Sequence, residues 1–274
     1  VGGAGHESSA VLADHLGPQD WLHLHYRDKA LMLARGLAVE QFFHSSLCTA
    51  ASHSGGRQMS AHLSAPDLKV LSLVGPVGNN ALQAVGVAQQ IRAESPSTSR
   101  LSAPLVVCSL GDGTTQQGEV LEAIAESVRA RLPVLFLVAD NGLAISTRTR
   151  GQTFYDLPSG PASEFYGIPI QRLNGRDPVA CVGAFGEVVA TVRVPELQPA
   201  TSNAAANIMT SRCTPQACRS DVPITSRGCA SRSVRGPRPR VRRSRARTDG
   251  CRRTRCARTA ARGARTRAPR GGVR

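Results

Sequence analysis

Several residue types run out part-way along this 274-residue chain: histidine stops at His62, aromatics stop at Phe185, and residues 201–274 contain no lysine. Without aromatics, the last quarter has no platform on which nucleic-acid bases could stack. Without histidine, its five cysteines (Cys213, Cys218, Cys229, Cys251 and Cys256) would have to bind metal alone. They stand at uneven spacings with no CxxC pair, which excludes the ordinary zinc patterns. Long apolar runs are missing too. The strongest ones, such as Val134–Ala139, fall far short of a membrane span. The start has no basic stretch followed by an apolar one, as an export signal would. Cys48, Cys108 and Cys181 are scattered singly, as in reduced intracellular proteins. These features predict a soluble, cytoplasmic protein. The opening Val1-Gly2-Gly3-Ala4-Gly5-His6-Glu7 reads as the interior of a domain, so the natural start is expected further upstream.

What is present divides into two compositions. The net charge of +15 first suggests a nucleic-acid binder. Residues 1–200, however, carry 14 basic and 17 acidic side chains, whereas residues 201–274 carry 20 arginines against Asp221 and Asp249. The basic excess therefore belongs to the tail alone. The length suits one large domain or two small ones. The boundaries expected are a folded domain over 1–193 and a disordered Arg-rich tail over 194–274, because nothing in the tail has enough apolar periodicity to offset chain entropy.

Within residues 1–193, helical spacing is expected over Ser8–Leu16, Asp28–Ala51 and Asn79–Arg92, with a strand at Val70–Val74. Pro104–Leu110 is continuously apolar, like a strand buried on both faces of a parallel sheet. Gln117–Arg131 is amphipathic: Val120, Leu121, Ile124 and Val128 face a core while Glu119, Glu122 and Glu126 face water. Pro133–Ala139 is a second apolar strand, followed by Ile168–Leu173 as a strand and Pro178–Arg193 as a helix. This alternation predicts an α/β fold: a doubly wound, mostly parallel sheet with its ligand site at the strand C-termini.

Polar loops close both strands of the central unit. Gly111-Asp112-Gly113 ends the first and Asp140-Asn141-Gly142 the second. Taken alone, Gly-Asp-Gly is an ordinary strand-end turn. With the strand–helix–strand spacing it becomes a carboxylate, an amide oxygen and a helix N-terminus on one edge, a set suited to Mg²⁺ or Ca²⁺ holding a diphosphate.

Gly111-Asp112-Gly113, followed thirty residues later by Asp140-Asn141, resembles the cofactor motif of thiamine-diphosphate enzymes. The run Asn141–Thr147 narrows the likeness to the α subunit of the E1 component of 2-oxo acid dehydrogenases, closest to the branched-chain type. Gly5-His6-Glu7, Tyr26-Arg27-Asp28, Gly56-Arg57-Gln58-Met59 with His62, and Pro76–Gln89 agree with it, so the resemblance covers roughly residues 1–193. It implies the thiamine-diphosphate-binding fold, with Mg²⁺ held by Asp112, the Asn141 side-chain oxygen and the Leu143 carbonyl. It further implies that Gly111, Gly113, Thr114, Tyr26 and Arg27 border the diphosphate and that Val77 lies under the aminopyrimidine. His62, with Arg57, falls near the active-site mouth. The bland readings stay open for two of these: Arg27 as a surface partner of Asp28, and His62 as a plain loop histidine.

The implied activity is oxidative decarboxylation of a 2-oxo acid with acyl transfer to lipoamide. The implied partners are an E1 β subunit or fused β half, in a heterotetramer, and a lipoyl-bearing E2 acyltransferase. A membrane is not expected as a partner. The tail departs from the family, whose next strand and His-bearing loop find no counterpart past Arg193. Loss of the reading frame near residues 193–200 would account for its vocabulary. The alternative takes the tail at face value, as an Arg-rich arm binding a polyanion such as nucleic acid, non-specifically and salt-sensitively.

Overall fold

The structure, a computed structural model, describes residues 3–94, 103–193 and 207–212. By its contacts the chain divides into two units, Val1–Val222 and Pro223–Arg274, and every described residue belongs to the first. The arginine-rich remainder of the tail and the Ser95–Ser102 connection lie outside the described residues.

A six-stranded sheet organises the first unit, with strand order β1-β2-β3-β10-β9-β8. Here β1 is Trp21–His23, β2 is Val106–Gly111 and β3 is Val134–Asp140. Two small antiparallel hairpins follow, β4 (Leu143–Ala144) with β5 (Thr147–Arg148) and β6 (Asp156–Leu157) with β7 (Gly160–Pro161). The sheet resumes with β8 (Glu164–Phe165), β9 (Ile168–Asn174) and β10 (Asn207–Arg212). Every neighbouring pair in the sheet is parallel except β8 with β9.

Both faces are covered, which is why β2 and β3 are apolar throughout. Helices α3 (Asn79–Glu94) and α4 (Gly118–Arg129) lie on one face, where Ala81, Ala84, Ala88 and Ile124 pack on Val106, Phe136 and Val138. Small residues on α3 allow the close approach. On the other face a 3₁₀ helix (Glu7–His15), α1 (Lys29–Ala34) and α5 (Pro178–Arg193) bury Leu12, Leu31 and Phe185 against Val107, Leu135 and Met209. Each fully buried side chain of this size contributes about 1.5–3 kcal/mol. The doubly wound α/β architecture is thus as expected.

Ion pairing fastens the end of α5. Arg193 pairs with both oxygens of the buried Asp20, and Asp20 Oδ1 also accepts the Leu105 amide at 2.9 Å just before β2.

Four local expectations need correction. The stretch Asp28–Ala51 is two short helices, α1 and α2 (Val39–Ser46), because Gly36 adopts a left-handed φ of +104° between them. Val70–Val74 is no strand: Val70 bridges Leu22 and Ala65, after which Leu73 donates to the Leu63 carbonyl at 3.1 Å and the chain leaves the sheet. Trp21–His23, not expected as a strand, occupies the sheet edge instead. Most consequentially, residues 207–212 inside the segment expected to lack structure form β10, hydrogen-bonded between β3 and β9. Ile208 and Met209 are buried there on opposite faces, so six residues suffice to continue both cores. The fold boundary expected at residue 193 therefore falls too early.

Candidate cofactor site at the strand C-termini

Parallel pairing sets the geometry. Gly111 lies opposite Ala139, so the turns leaving β2 and β3 emerge side by side. The first is a single 3₁₀ turn, Asp112–Thr114, that leads to the N-terminus of α4 at Gly118. Asp112 is 1 % exposed, and its Oδ2 accepts the Thr149 hydroxyl at 2.7 Å. Burial pushes the Asp112 carboxyl above the usual range; the Thr149 hydrogen bond opposes this, and the negative charge of Asp140 adds to it.

The second turn is held by its own side chains. Asp140 Oδ1 accepts the Gly142 amide at 2.9 Å, and Asn141 Oδ1 accepts the Leu143 amide at 3.0 Å. Gly142 needs its positive φ of 75° to turn the chain back into the β4–β5 hairpin. That hairpin folds directly onto the first turn. A Cβ on Gly113 would stand 2.5 Å from Ala144 Cβ, so only glycine admits this contact. Asp112, Gly113, Asn141 and Leu143 are brought together in this way.

Beside them opens a cleft of about 160 Å³, lined by Tyr26, His62, Val77 and Thr114 together with His25, Met59 and Asn80. Asn80 Nδ2 donates to the Ser109 carbonyl at 2.9 Å, tying the start of α3 to the end of β2 and so fixing the segment that carries Val77. Val77 itself is 60 % exposed on the cleft wall. His62 is half-buried, with Nδ1 3.1 Å from the Ser60 carbonyl. Arg57 is not among the residues lining this cleft; its Nη1 approaches the Ser54 carbonyl at 3.4 Å.

One cation stands beside Gly111, at the end of β2. Arg27 Nη1 is buried without a hydrogen-bond partner and lies 3.8 Å from where a Cβ on Gly111 would stand. The His25 ring edge lies 3.7 Å from the same point, and its Nδ1 is likewise unpartnered. Burial, then the charges of Arg27, His6 and His62, push the His25 pKa down to about 3, so it is neutral at pH 7. Asp28 points elsewhere: it is buried, and its Oδ2 accepts the His25 amide at 2.8 Å.

A buried guanidinium donor with no acceptor, a glycine whose missing Cβ leaves room beside it, and a buried carboxylate next to an amide oxygen make a set that fits a metal-bound diphosphate. Among the described residues no group of three or more His, Cys, Asp and Glu is placed to hold a metal. The candidate ligand set is consistent with that, having one carboxylate, one amide oxygen and one backbone carbonyl.

Sequence reasoning missed His25, Thr149 and the role of Asp140. His25 adjoins Tyr26-Arg27 and offered a signal by position. Thr149 reaches Asp112 only because the hairpin folds back, and nothing local marks it.

Residues 2–200 match the family described as dehydrogenase E1 component. The chain is similar to the 2-oxoisovalerate dehydrogenase subunit alpha of Caenorhabditis elegans, at 29% identity over 63% of this chain and 38% of that protein. It is also similar to the 2-oxoisovalerate dehydrogenase subunit alpha of Bacillus subtilis, at 30% over 61% and 49% of the respective lengths. A third relative is the 3-methyl-2-oxobutanoate dehydrogenase subunit alpha of Mycobacterium tuberculosis, at 32% over 69% and 47%. Among solved structures, a transketolase from Campylobacter jejuni aligns with a TM-score of 0.48 at 19% identity, over 74% of this chain and 32% of that one. The chain spans less than half the length of these curated relatives. With the family match covering well over half of the chain, this protein belongs to the dehydrogenase E1 component family.

Proposed function

We propose that the chain is an α-type subunit of a 2-oxo acid dehydrogenase E1 component, acting on a branched-chain 2-oxo acid, with thiamine diphosphate and Mg²⁺ at the site formed by Gly111–Thr114 and Asn141–Leu143. One observation carries the reading: the Gly-Asp-Gly turn lies against Ala144 of the hairpin that follows Asn141, while Arg27 holds out a buried, unpartnered donor beside Gly111. Asp112, the Asn141 side-chain oxygen and the Leu143 carbonyl would be the oxygen ligands of the metal. The Gly113 and Thr114 amides, Tyr26 and Arg27 would receive the diphosphate, with Gly111 giving it room. Val77 would support the aminopyrimidine from the apolar wall.

When bound, thiamine diphosphate supplies the nucleophilic carbon and the electron sink for decarboxylation. The chain's own residues position and shield it. Arg27 offsets diphosphate charge in a site where few waters compete, so its interaction is strong. His62, which lines the cleft, would contact a 2-oxo acid entering it. An E1 β subunit or fused β half, and a lipoyl-bearing E2 acceptor, would complete the reaction. The names of the relatives support the branched-chain assignment. The Arg-rich arm on which a polyanion-binding reading depends lies outside the described residues.

The test is CO₂ release from 2-oxoisovalerate and from pyruvate by the full chain, combined with a β partner, thiamine diphosphate, Mg²⁺ and an artificial electron acceptor. Faster release from 2-oxoisovalerate is expected. Release from neither substrate, with a β partner that is active beside its own α subunit, would refute the assignment.

A further inference from the structure

We propose that Arg212, the last residue of β10, is a positioning residue for the metal-bearing turn, acting through Asp140; this rests on the cofactor reading above. The sheet register places Arg212 directly opposite Asp140, the last residue of β3. Arg212 Nε donates to Asp140 Oδ2 at 3.1 Å, and its Nη2 reaches Asp156 Oδ2 at 3.3 Å. The Asp140 side chain is 4% exposed and that of Arg212 is 56% exposed, so the arginine reaches in from the surface to a buried carboxylate.

Asp140 is clamped from two sides. Its Oδ1 takes the Gly142 amide inside the turn, while Oδ2 takes the guanidinium from the neighbouring strand. The turn that presents Asn141 and Leu143 is therefore anchored to β10 at its first residue. The charge matters as well as the geometry. Asp140 lies near Asp112, and without Arg212 it would be an uncompensated buried negative charge beside a site meant for diphosphate. It would then repel the ligand, turn toward the metal in competition with Asn141, or drag the turn toward water. Arg212 lies beyond the residues matched to the family, so that match gives it no role. The cleft bounded by Asp140, Tyr155, Arg172 and Arg212 is lined by groups that already satisfy one another; Arg172, for example, donates to the Tyr155 and Ala162 carbonyls at 2.6 Å. The arrangement is a brace.

The test uses the full chain with its β partner and compares wild type, Arg212→Gln, Arg212→Lys, Asp140→Asn and the double variant Asp140→Asn/Arg212→Gln. Mg²⁺ affinity at saturating thiamine diphosphate is read by calorimetry well below the unfolding temperature, and the thermal midpoint is read separately. Loss of a group that orients a metal ligand typically weakens metal binding about 10–100-fold. Arg212→Gln is expected to fall in that range, and Arg212→Lys to recover most of the loss. In the Asp140→Asn background the Arg212→Gln change is expected to cost less than about threefold, a small effect beside the uncoupled one. A purely structural strand-end arginine would instead lower the thermal midpoint in both backgrounds and leave affinity alone. Wild-type affinity in Arg212→Gln, or losses that simply multiply in the double variant, would overturn the inference while leaving the cofactor reading intact. Should Arg212→Gln fail to fold, Arg212→Lys and the double variant decide between the same two outcomes. No binding by wild type would overturn the cofactor reading, and this inference with it.

Discussion

β3 and β10 run side by side through the centre of one sheet, yet they are held there by different means. In β3, Val134 through Ala139 are apolar and buried, so the strand carries its own stabilisation into both cores before it ends at Asp140. In β10 only Ile208 and Met209 are apolar and buried; Thr210 and Ser211 follow, and Arg212 closes the strand with an ion pair. β10 has its position from what flanks it. Two parallel neighbours supply ladder partners, and a buried carboxylate at the end of β3 fixes its register. A strand can thus be central to a sheet while contributing little apolar area, provided the strands on either side would otherwise expose unpaired backbone groups.

Removing β10 should have the largest effect. A chain ending at residue 206 leaves the facing edges of β3 and β9 unpaired; it is expected to lose cooperative thermal unfolding, whereas a chain ending at Val222, the limit of the compact unit, should keep it. Circular dichroism melts of the two truncations decide this, and equal behaviour would mean that β10 is not part of the stable fold. Single core truncations come next. Phe136→Ala in β3 should cost about 3–5 kcal/mol, and Ile208→Ala in β10 about 2–5 kcal/mol, since both side chains are buried in the same core. Urea unfolding measures both, and an Ile208→Ala cost near zero would show that β10 adds nothing to the core it enters.

At the site, Gly113→Ala pushes Ala144 away and so separates the two turns, since an added Cβ would stand 2.5 Å from the Ala144 Cβ. Misplacement of this kind is expected to cost about 100-fold in turnover while changing the melting temperature little. Adding Ala144→Gly should restore part of the activity. The last effect is a slope. His25 has its pKa lowered from 6.5 to about 3, so the folded chain refuses a proton that the unfolded chain accepts. The stability this confers is fully present above pH 6.5 and is lost as pH falls toward 3, at roughly 1.4 kcal/mol per pH unit. His25→Gln should flatten that acid limb by one proton in a pH series of urea melts; an unchanged slope would show that His25 titrates normally.

The same contrast explains what was legible in the sequence. β2, α4 and β3 announce themselves because both faces of the sheet are covered, leaving apolar runs and a helix with one wet side. The Gly-Asp-Gly and Asp-Asn-Gly turns were readable because they sit at the ends of those runs. β10 was not, since Asn207-Ile208-Met209-Thr210-Ser211-Arg212 is an ordinary six-residue string inside a low-complexity segment, and its partners lie 30 or more residues away in the chain. Three-residue β1 was hidden for a related reason: His23 reads as polar, yet it is fully buried, with Nε2 2.9 Å from Gln83 Oε1. Val70 looked like a strand because it begins to pair with β1, but the chain peels away after Leu71. Thr149 and Arg212 reach the site region only through tertiary folding, and no local spacing could have pointed to either.

Everything proposed for the site depends on the turns ending β2 and β3 jointly holding a metal-bound diphosphate through Asp112. The decisive measurement is calorimetric titration of thiamine diphosphate with Mg²⁺ into the full chain and its β partner, beside an Asp112→Ala variant that remains folded. Saturable heat is expected from the wild type and none from Asp112→Ala. Equal binding by the two proteins, or no saturable heat from the wild type, would contradict that role for Asp112 and its neighbours.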